Sequence, residues 1–313
     1  MKLYEMTLAT RKEPKLLALA AILAVLGGLL IWFARPGRIF TPAAPPRFNG
    51  ERALRDVHSQ VAFGPRTPGS AAQAQFLEWS RSELAAAGWQ SQVQVGEKMG
   101  HTIRNLVAYR DPNLPPRILL GAHYDSRLSA DQDPDPAKRV QAVPGANDGA
   151  SGVAVLLELA RVLPADAPVW LVFFDAEDNG RLPGWDWLLG SRTFVEQMTF
   201  QPQAMILVDM VGDADLRLLL EQNSDPALQA EIWSQAEALG YGEFFVPEKG
   251  YRMLDDHLPF IEAGIPAVDI IDFDYPYWHT TADTADKVSA SSLQAVGETL
   301  QVWLMSKFGI PEE

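Results

Sequence analysis

Asp175, Glu177 and Asp178 stand within four positions of one another, directly after the unbroken apolar run Val169–Phe174. That run is rich in branched and aromatic residues and reads as a strand buried on both faces. Acids released at the carboxyl end of such a strand enter the crevice where open α/β sheets bind ligands. Adjacent Glu177 and Asp178 would repel each other in a dry pocket. A bound cation relieves that repulsion, so that one acid can ligate while the other moves protons. The competing reading is a solvated acidic loop. Four further polar clusters fall where strands are expected to end. They carry His123 and Asp125 (residues 122–126), Asp148 (residues 144–152), Asp209, and His279 (residues 275–280). Asp125 apart, they offer with Asp178 two imidazoles and three carboxylates, and the chain has no cysteine. Nitrogen and oxygen donors without sulfur suit zinc in a catalytic, water-accessible site. Taken singly, a His after a strand or an Asp before a glycine is an ordinary hydrogen-bonding or turn residue. Asp125, two positions after His123, is placed to hold that imidazole in its metal-binding tautomer.

The elements that would position these groups alternate along the chain. Helices are expected over residues 51–61, 70–87, 149–162, 226–239 and 289–307, with Ser70 a cap and Gly88 a stop for the second. Strands are expected over 90–95, 102–109, 117–122, 169–174, 205–211, 217–221 and 267–271. A further helix should follow the glycine- and tryptophan-bearing loop after Asp178. Two neighbouring early strands followed by strand–helix alternation imply an α/β fold. Its central sheet is mixed, mainly parallel and sandwiched by helices. Nothing in residues 48–313 looks like a linker, and those residues are read as one catalytic domain.

The first 47 residues differ in kind. Residues 16–34 contain no charge and reach about 28 Å as a helix, close to the thickness of a bilayer's hydrocarbon core. Arg11, Lys12 and Lys15 precede this run and Trp32 sits near its far end. The pattern predicts a single transmembrane anchor with residues 1–15 cytoplasmic and the catalytic domain outside the cytoplasm. A cleaved signal peptide is the alternative, with Ala43 and Ala44 as small residues near a cleavage point. Residues 35–47 are proline-rich and read as a stiff tether. Removing the first 46 residues takes away six Lys/Arg and two Asp/Glu, and leaves 20 basic and 38 acidic residues. A domain this acidic is not built for nucleic acid.

The clusters resemble the zinc aminopeptidases that share their fold with animal glutaminyl-peptide cyclotransferases. The matching stretches are HYDS at 123–126, GANDGASG at 145–152, FFDAED at 173–178, GSR at 190–192 and LVDMVG at 207–212. DDHLPF at 255–260, GIPA at 264–267 and WHTTADT at 278–284 complete the series. They run in the family's order at similar spacing and cover most of residues 63–308. The resemblance implies a zinc-exopeptidase-like fold with Asp148, Asp178 and His279 as zinc ligands. It implies that His123 and Asp209 hold a second zinc in the aminopeptidase branch, with Asp148 bridging. Glu177 matches the family's proton-transferring glutamate. The family commonly has two glutamates where this chain has Glu177-Asp178, so its metal would sit about one methylene away from the usual place.

The same resemblance points to enzymes acting on peptide or protein N-termini, with one zinc ion or two. Asp255 matches the first member of an acidic pair in the cyclases, and is expected to act beside Glu177 and Asp209. Trp278, directly before His279, resembles a substrate-pocket tryptophan of the cyclases. Trp185 is matched to another across a short gap. These features favour glutaminyl-peptide cyclotransferase activity, in which an N-terminal glutamine closes on itself and ammonia leaves. The alternative is an aminopeptidase that hydrolyses the first peptide bond. A third reading is a catalytically inactive, membrane-anchored binding domain, for which a retained Glu177 would serve no purpose.

Overall fold

A computed structural model describes residues 46–310 of the 313-residue chain. The expected anchor (16–34), the cytoplasmic segment before it and most of the tether lie outside the described residues. Among the described residues no helix is long and apolar enough to cross a membrane.

The chain opens with two helices, α1 (Gly50–Ala62) and α2 (Ala71–Ala86). Asn49 and Ser70 cap them, each side chain accepting a backbone N–H of the first turn. An antiparallel hairpin follows, β1 (Gln90–Lys98) and β2 (His101–Tyr109). Then come β3 (Ile118–His123), α3 (Ala150–Val162), β4 (Val169–Phe174), α4 (Leu189–Gln197) and β5 (Ala204–Asp209). Two short strands, β6 (Leu218–Leu220) and β7 (Phe245–Lys249), flank α5 (Pro226–Ala238). The chain closes through α6 (Leu258–Glu262), β8 (Ala267–Ile271) and α7 (Ala290–Phe308).

The main sheet has six strands in the order β1-β2-β4-β3-β5-β8. β2 meets β4 antiparallel, while β4, β3, β5 and β8 run parallel. The sheet is therefore mixed, with a parallel half that carries the site. Side chains alternate across it as pleating requires. Leu120, Phe173, Ile206 and Val268 join the larger core, against α1, α2, α3, α5 and α7. Leu119, Val172, Phe174 and Leu207 face the other way, onto Phe194 of α4 and Phe260 of α6. Both faces are covered, which is why the central strands read as continuous apolar runs rather than alternating ones.

The start of the described chain is strapped to the last helix. Phe48 N–H donates to Gln301 Oε1 at 2.8 Å, and Gln301 Nε2 donates back to the Pro46 carbonyl at 2.8 Å. Gly50 N–H donates to Gln294 Oε1 at 2.7 Å. The Phe48 ring is buried and lies so close to Gly297 that a Cβ there would meet ring carbons at 2.0 Å.

Candidate metal centre and pocket

The parallel strands all deliver polar residues at the same edge of the sheet. His123 is the last residue of β3 and Asp209 the last of β5. Asp175, Glu177 and Asp178 follow β4, and the loop after β8 carries Trp278 and His279. Asp148 arrives from the loop that starts α3. Its neighbour Gly149 holds φ at +91°, and a Cβ there would meet the Asp125 carbonyl at 2.8 Å. Four residues that do have side chains also adopt left-handed backbone beside the site: Ala176, Arg181, Met210 and His279 itself. Strain of this kind persists where surrounding contacts over-determine the backbone.

The five residues singled out from sequence form two triads that share Asp148. His123, Asp148 and Asp209 make one; Asp148, Asp178 and His279 make the other. Within each triad the donor atoms lie within 4.8 Å of one another. His123 Nε2 is 3.1 Å from Asp148 Oδ1 and 3.1 Å from Asp209 Oδ1. His279 Nε2 is 2.6 Å from Asp178 Oδ1 and 3.7 Å from Asp148 Oδ2. Asp148 thus turns one oxygen to each triad. All five residues are buried, and Asp148 Oδ2 and Asp178 Oδ2 have no hydrogen-bond partner. Orphaned carboxylate oxygens in a buried cluster are costly without a cation. Two imidazoles with carboxylate oxygens and no sulfur are a donor set that fits zinc.

A shell of hydrogen bonds fixes these candidate ligands. Asp283 accepts the N–H groups of Asn147 and Asp148 and the Tyr275 hydroxyl. Burial, then the nearby Asp148 charge, pushes its carboxyl up to about 7. Asn147 ties the loop to the segment after Asp209, its Oδ1 accepting Gly212 N–H at 2.7 Å. The expected role of Asp125 is only part of the picture. Its carboxylate lies 3.6 Å from His123 Nδ1, but it also accepts the Glu177 and Asp178 N–H groups and the Asn179 amide. It therefore organises the acidic loop as well as the imidazole. Two buried arginines do comparable work. Arg66 donates to the carbonyls of Tyr124, Pro144 and Gly145, joining the end of β3 to the Asp148 loop. Arg127 donates to the Asp178 and Gly180 carbonyls and pairs with Asp131, whose Oδ1 lies 3.7 Å from His279 Nδ1. Sequence reasoning assigned neither arginine a role, because most of their partners are backbone carbonyls, which no residue type marks; Asp131, four residues after Arg127, is the local exception.

Over the triads lies a pocket of about 320 Å³ lined by Asp148, Glu177, Asp178, Asp209, Asp255 and His279 at its floor. Glu177 is buried, and burial, then the Asp255 charge, raises its carboxyl well above the ordinary value. Asp255 is itself pushed up to about 7 by burial and then by Asp209. The walls are aromatic. Trp278 stacks on the His279 imidazole with ring centroids 3.7 Å apart, and Trp187 lies parallel to it at 6.1 Å. The expectation for Trp185 is not met by the geometry. That ring stacks on His101 at 3.6 Å and packs with Ile103, Ala176 and Leu189. Trp187, two residues on, lines the pocket instead. Its position is held by close contact with Gly180, where a Cβ would meet the indole at 2.1 Å, and by the Arg127 guanidinium 5.2 Å from its ring.

Comparison with known proteins agrees with this centre. The profile of peptidase family M28 matches residues 105–304. Aminopeptidase YwaD of Bacillus subtilis (strain 168) is 30% identical over 218 residues, which are 63% of this chain and 43% of YwaD. Two solved structures resemble the fold over nearly their whole length. A Zn-dependent exopeptidase from Parabacteroides distasonis ATCC 8503 is 35% identical with a TM-score of 0.78, covering 84% of this chain and 99% of that one. A glutaminyl cyclase from Porphyromonas gingivalis is 35% identical with a TM-score of 0.77, covering 83% and 99%. With the family's profile spanning both triads and most of the last helix, the chain belongs to peptidase family M28, and the metal its centre is built to hold is zinc.

Proposed function

We propose that the protein is a zinc-dependent enzyme of peptide N-termini, and that its activity is glutaminyl-peptide cyclisation with release of ammonia. The observation that carries this reading is the pocket floor. Two protonatable carboxyls, Glu177 and Asp255, lie beside the metal-ligand set in a cavity of about 320 Å³ walled by Trp187 and Trp278. A space of that size suits one glutaminyl residue folded back on its own α-amine. Bound zinc supplies Lewis-acid polarisation of the substrate carbonyl. Glu177 takes the proton from the α-amine as the nitrogen attacks the side-chain amide carbon, and returns it to the departing ammonia. Asp255 holds Glu177 in the right range for both transfers, since its charge keeps the Glu177 carboxyl basic. A substrate seated between the half-buried Trp187 and Trp278 would displace water from the floor, which favours attack by the internal amine over hydrolysis.

A specific observation favours a second reading, aminopeptidase activity. The second triad, His123 and Asp209 with shared Asp148, is complete. In that case Glu177 deprotonates water for attack on the first peptide bond, and the acidic floor holds the substrate's α-ammonium. The two readings separate cleanly in one experiment. Zinc-loaded protein is given a glutaminyl peptide and a leucyl peptide, and ammonia and free amino acid are measured. Ammonia release without amino-acid release supports cyclisation, and the reverse supports the peptidase. Failure on both substrates sinks both and favours a binding domain.

The apolar residues 16–34 and the proline-rich tether carry a proposal about location: the enzyme is held at a membrane with its catalytic domain outside the cytoplasm. Full-length protein should sediment with membranes, while a chain beginning at Pro46 should not.

A further inference from the structure

The pocket has opposite charge at its floor and at its mouth. Its floor is Asp148, Glu177, Asp178, Asp209 and Asp255, yet Arg181 and Arg252 line the same cavity and are both exposed. Elsewhere Arg127 pairs with Asp131 and Arg217 with Glu248, while the buried Arg66 spends its donors on backbone carbonyls. Among the described residues neither Arg181 nor Arg252 has a carboxylate within ion-pair distance.

Both guanidinium groups are displayed from braced backbone. Arg252 donates to the neutral Asn223 Oδ1, which orients the group without cancelling its charge. Asn223 in turn donates to the Met253 carbonyl, and Met253 N–H donates to Glu221 Oε1. Arg181 sits on a left-handed turn with φ of 64°, next to Gly180, whose carbonyl is held by Arg127. The same rim carries Tyr251 and Leu254, 47% and 50% exposed, a small apolar shelf beside the two charges.

We propose that Arg181 and Arg252 form a carboxylate-selecting mouth. The inference rests on the reading of the pocket as a site for peptide N-termini. The cavity holds one residue, so the second and third residues of a bound peptide must cross the shelf at the rim. A peptide entering amine first places its α-ammonium towards the acidic floor. A carboxylate one or two residues further along then meets the arginines, as an acidic side chain or as the free C-terminus of a short peptide. The field thus orients the substrate end to end and discriminates against basic residues at the same positions.

The test uses zinc-loaded enzyme and amidated tripeptides of sequence Gln-X-Ala, with X as glutamate, glutamine or lysine. The glutamine version is also given as the free acid, and the leucyl counterparts are run in parallel. On whichever series is turned over, kcat/KM for X as glutamate should exceed that for lysine by about 3–10-fold at low salt, mainly through KM. Salt should shrink the ratio. The amide and free-acid arms assign the preference to side chain or terminus. R181Q/R252Q should bring the glutamate-to-lysine ratio close to one, R181E/R252E should invert it, and R181K/R252K should keep part of it. Zinc content is measured in each preparation. Turnover of the glutamine peptides with no preference for any carboxylate would overturn the mouth and leave the functional reading standing. A preference that survives R181Q/R252Q would also overturn it. If neither glutaminyl nor leucyl peptides are turned over, the functional reading fails and takes the mouth with it.

Discussion

Glu177 and Asp178 are consecutive acids with different surroundings. Asp178 lies 2.6 Å from His279 Nε2, and its second oxygen is unpartnered. Glu177 faces the pocket beside Asp255, with its carboxyl raised by burial and by that neighbour. Glu177→Gln keeps the size and removes the base. It should leave zinc content near wild type and lower kcat by roughly 10²–10⁴-fold, the usual range for a general base. Asp178→Asn should lose zinc first and activity as a consequence, which metal analysis of the same preparations distinguishes. Full turnover by Glu177→Gln would reject its assigned role in both readings. The candidate metal-ligand set was legible in sequence because chemistry restricts it to His and acids; His123 and Asp209 ended apolar runs and Asp178 closely followed one, while Asp148 and His279 were marked by their motifs. The pocket wall was less so. Trp185 and Trp187 are two apart in a loop with no period, so nothing in the sequence gives the phase that turns one to the pocket and the other to His101.

At the scale of elements, α3 and β5 decide how precisely the two triads meet. Asp148 lies just ahead of α3, Asp209 ends β5, and the two elements touch at Gly152, where a Cβ would lie 2.1 Å from the Val208 carbonyl oxygen. A backbone oxygen inside a sheet cannot step aside. Gly152→Ala should therefore cost about 1–3 kcal/mol. It should lower Tm by roughly 3–10 °C and weaken zinc retention at the same time, as thermal melts and chelator competition would show. Unchanged Tm would mean the helix can shift freely. The long elements were legible from their periodicity and caps, and observed bounds differ from expected ones by a few residues at most. β7 was missed because Phe245–Lys249 holds a proline and two charges, with exposed residues that show no alternation. α6 has only five residues, too few to display a helical period.

For the whole molecule, acids with displaced affinities for protons set a pH profile. Burial, then repulsion from Asp125, pushes Asp175 up to about 8. Burial likewise pushes Asp272 up to about 6. Such groups bind protons more tightly folded than unfolded, so folding gains as pH falls through these values. Glu221 works in the opposite sense. Burial raises it, but the His257 contact and the Met253 and Asn223 N–H groups outweigh that and hold it at about 2, against 4.5 unfolded. Its contribution is present above the unfolded value and is lost as pH falls through the folded one. Metal-stripped protein should thus melt highest between about pH 4.5 and 6, lower at 8, and collapse in stronger acid. Asp175→Asn should flatten the alkaline limb, and a limb of unchanged slope would show that Asp175 is already ionised at neutral pH.

The strap between residues 46–50 and α7 has a mechanical consequence. A pull arriving at Pro46 meets the Gln301 and Gln294 amides and the wedged Phe48 ring before it reaches any strand. The load passes into the last helix and, through the Asn49 N–H and Arg52 contacts with Glu158, into α3, rather than directly into a strand. The strap thus takes up a pull on the first described residues in helices before it reaches the sheet. The strap also marks where the chain can be shortened. A chain begun at Pro46 retains every strap contact, whereas one begun at Glu51 would expose the flank of α7 and leave Gly297 facing an empty slot.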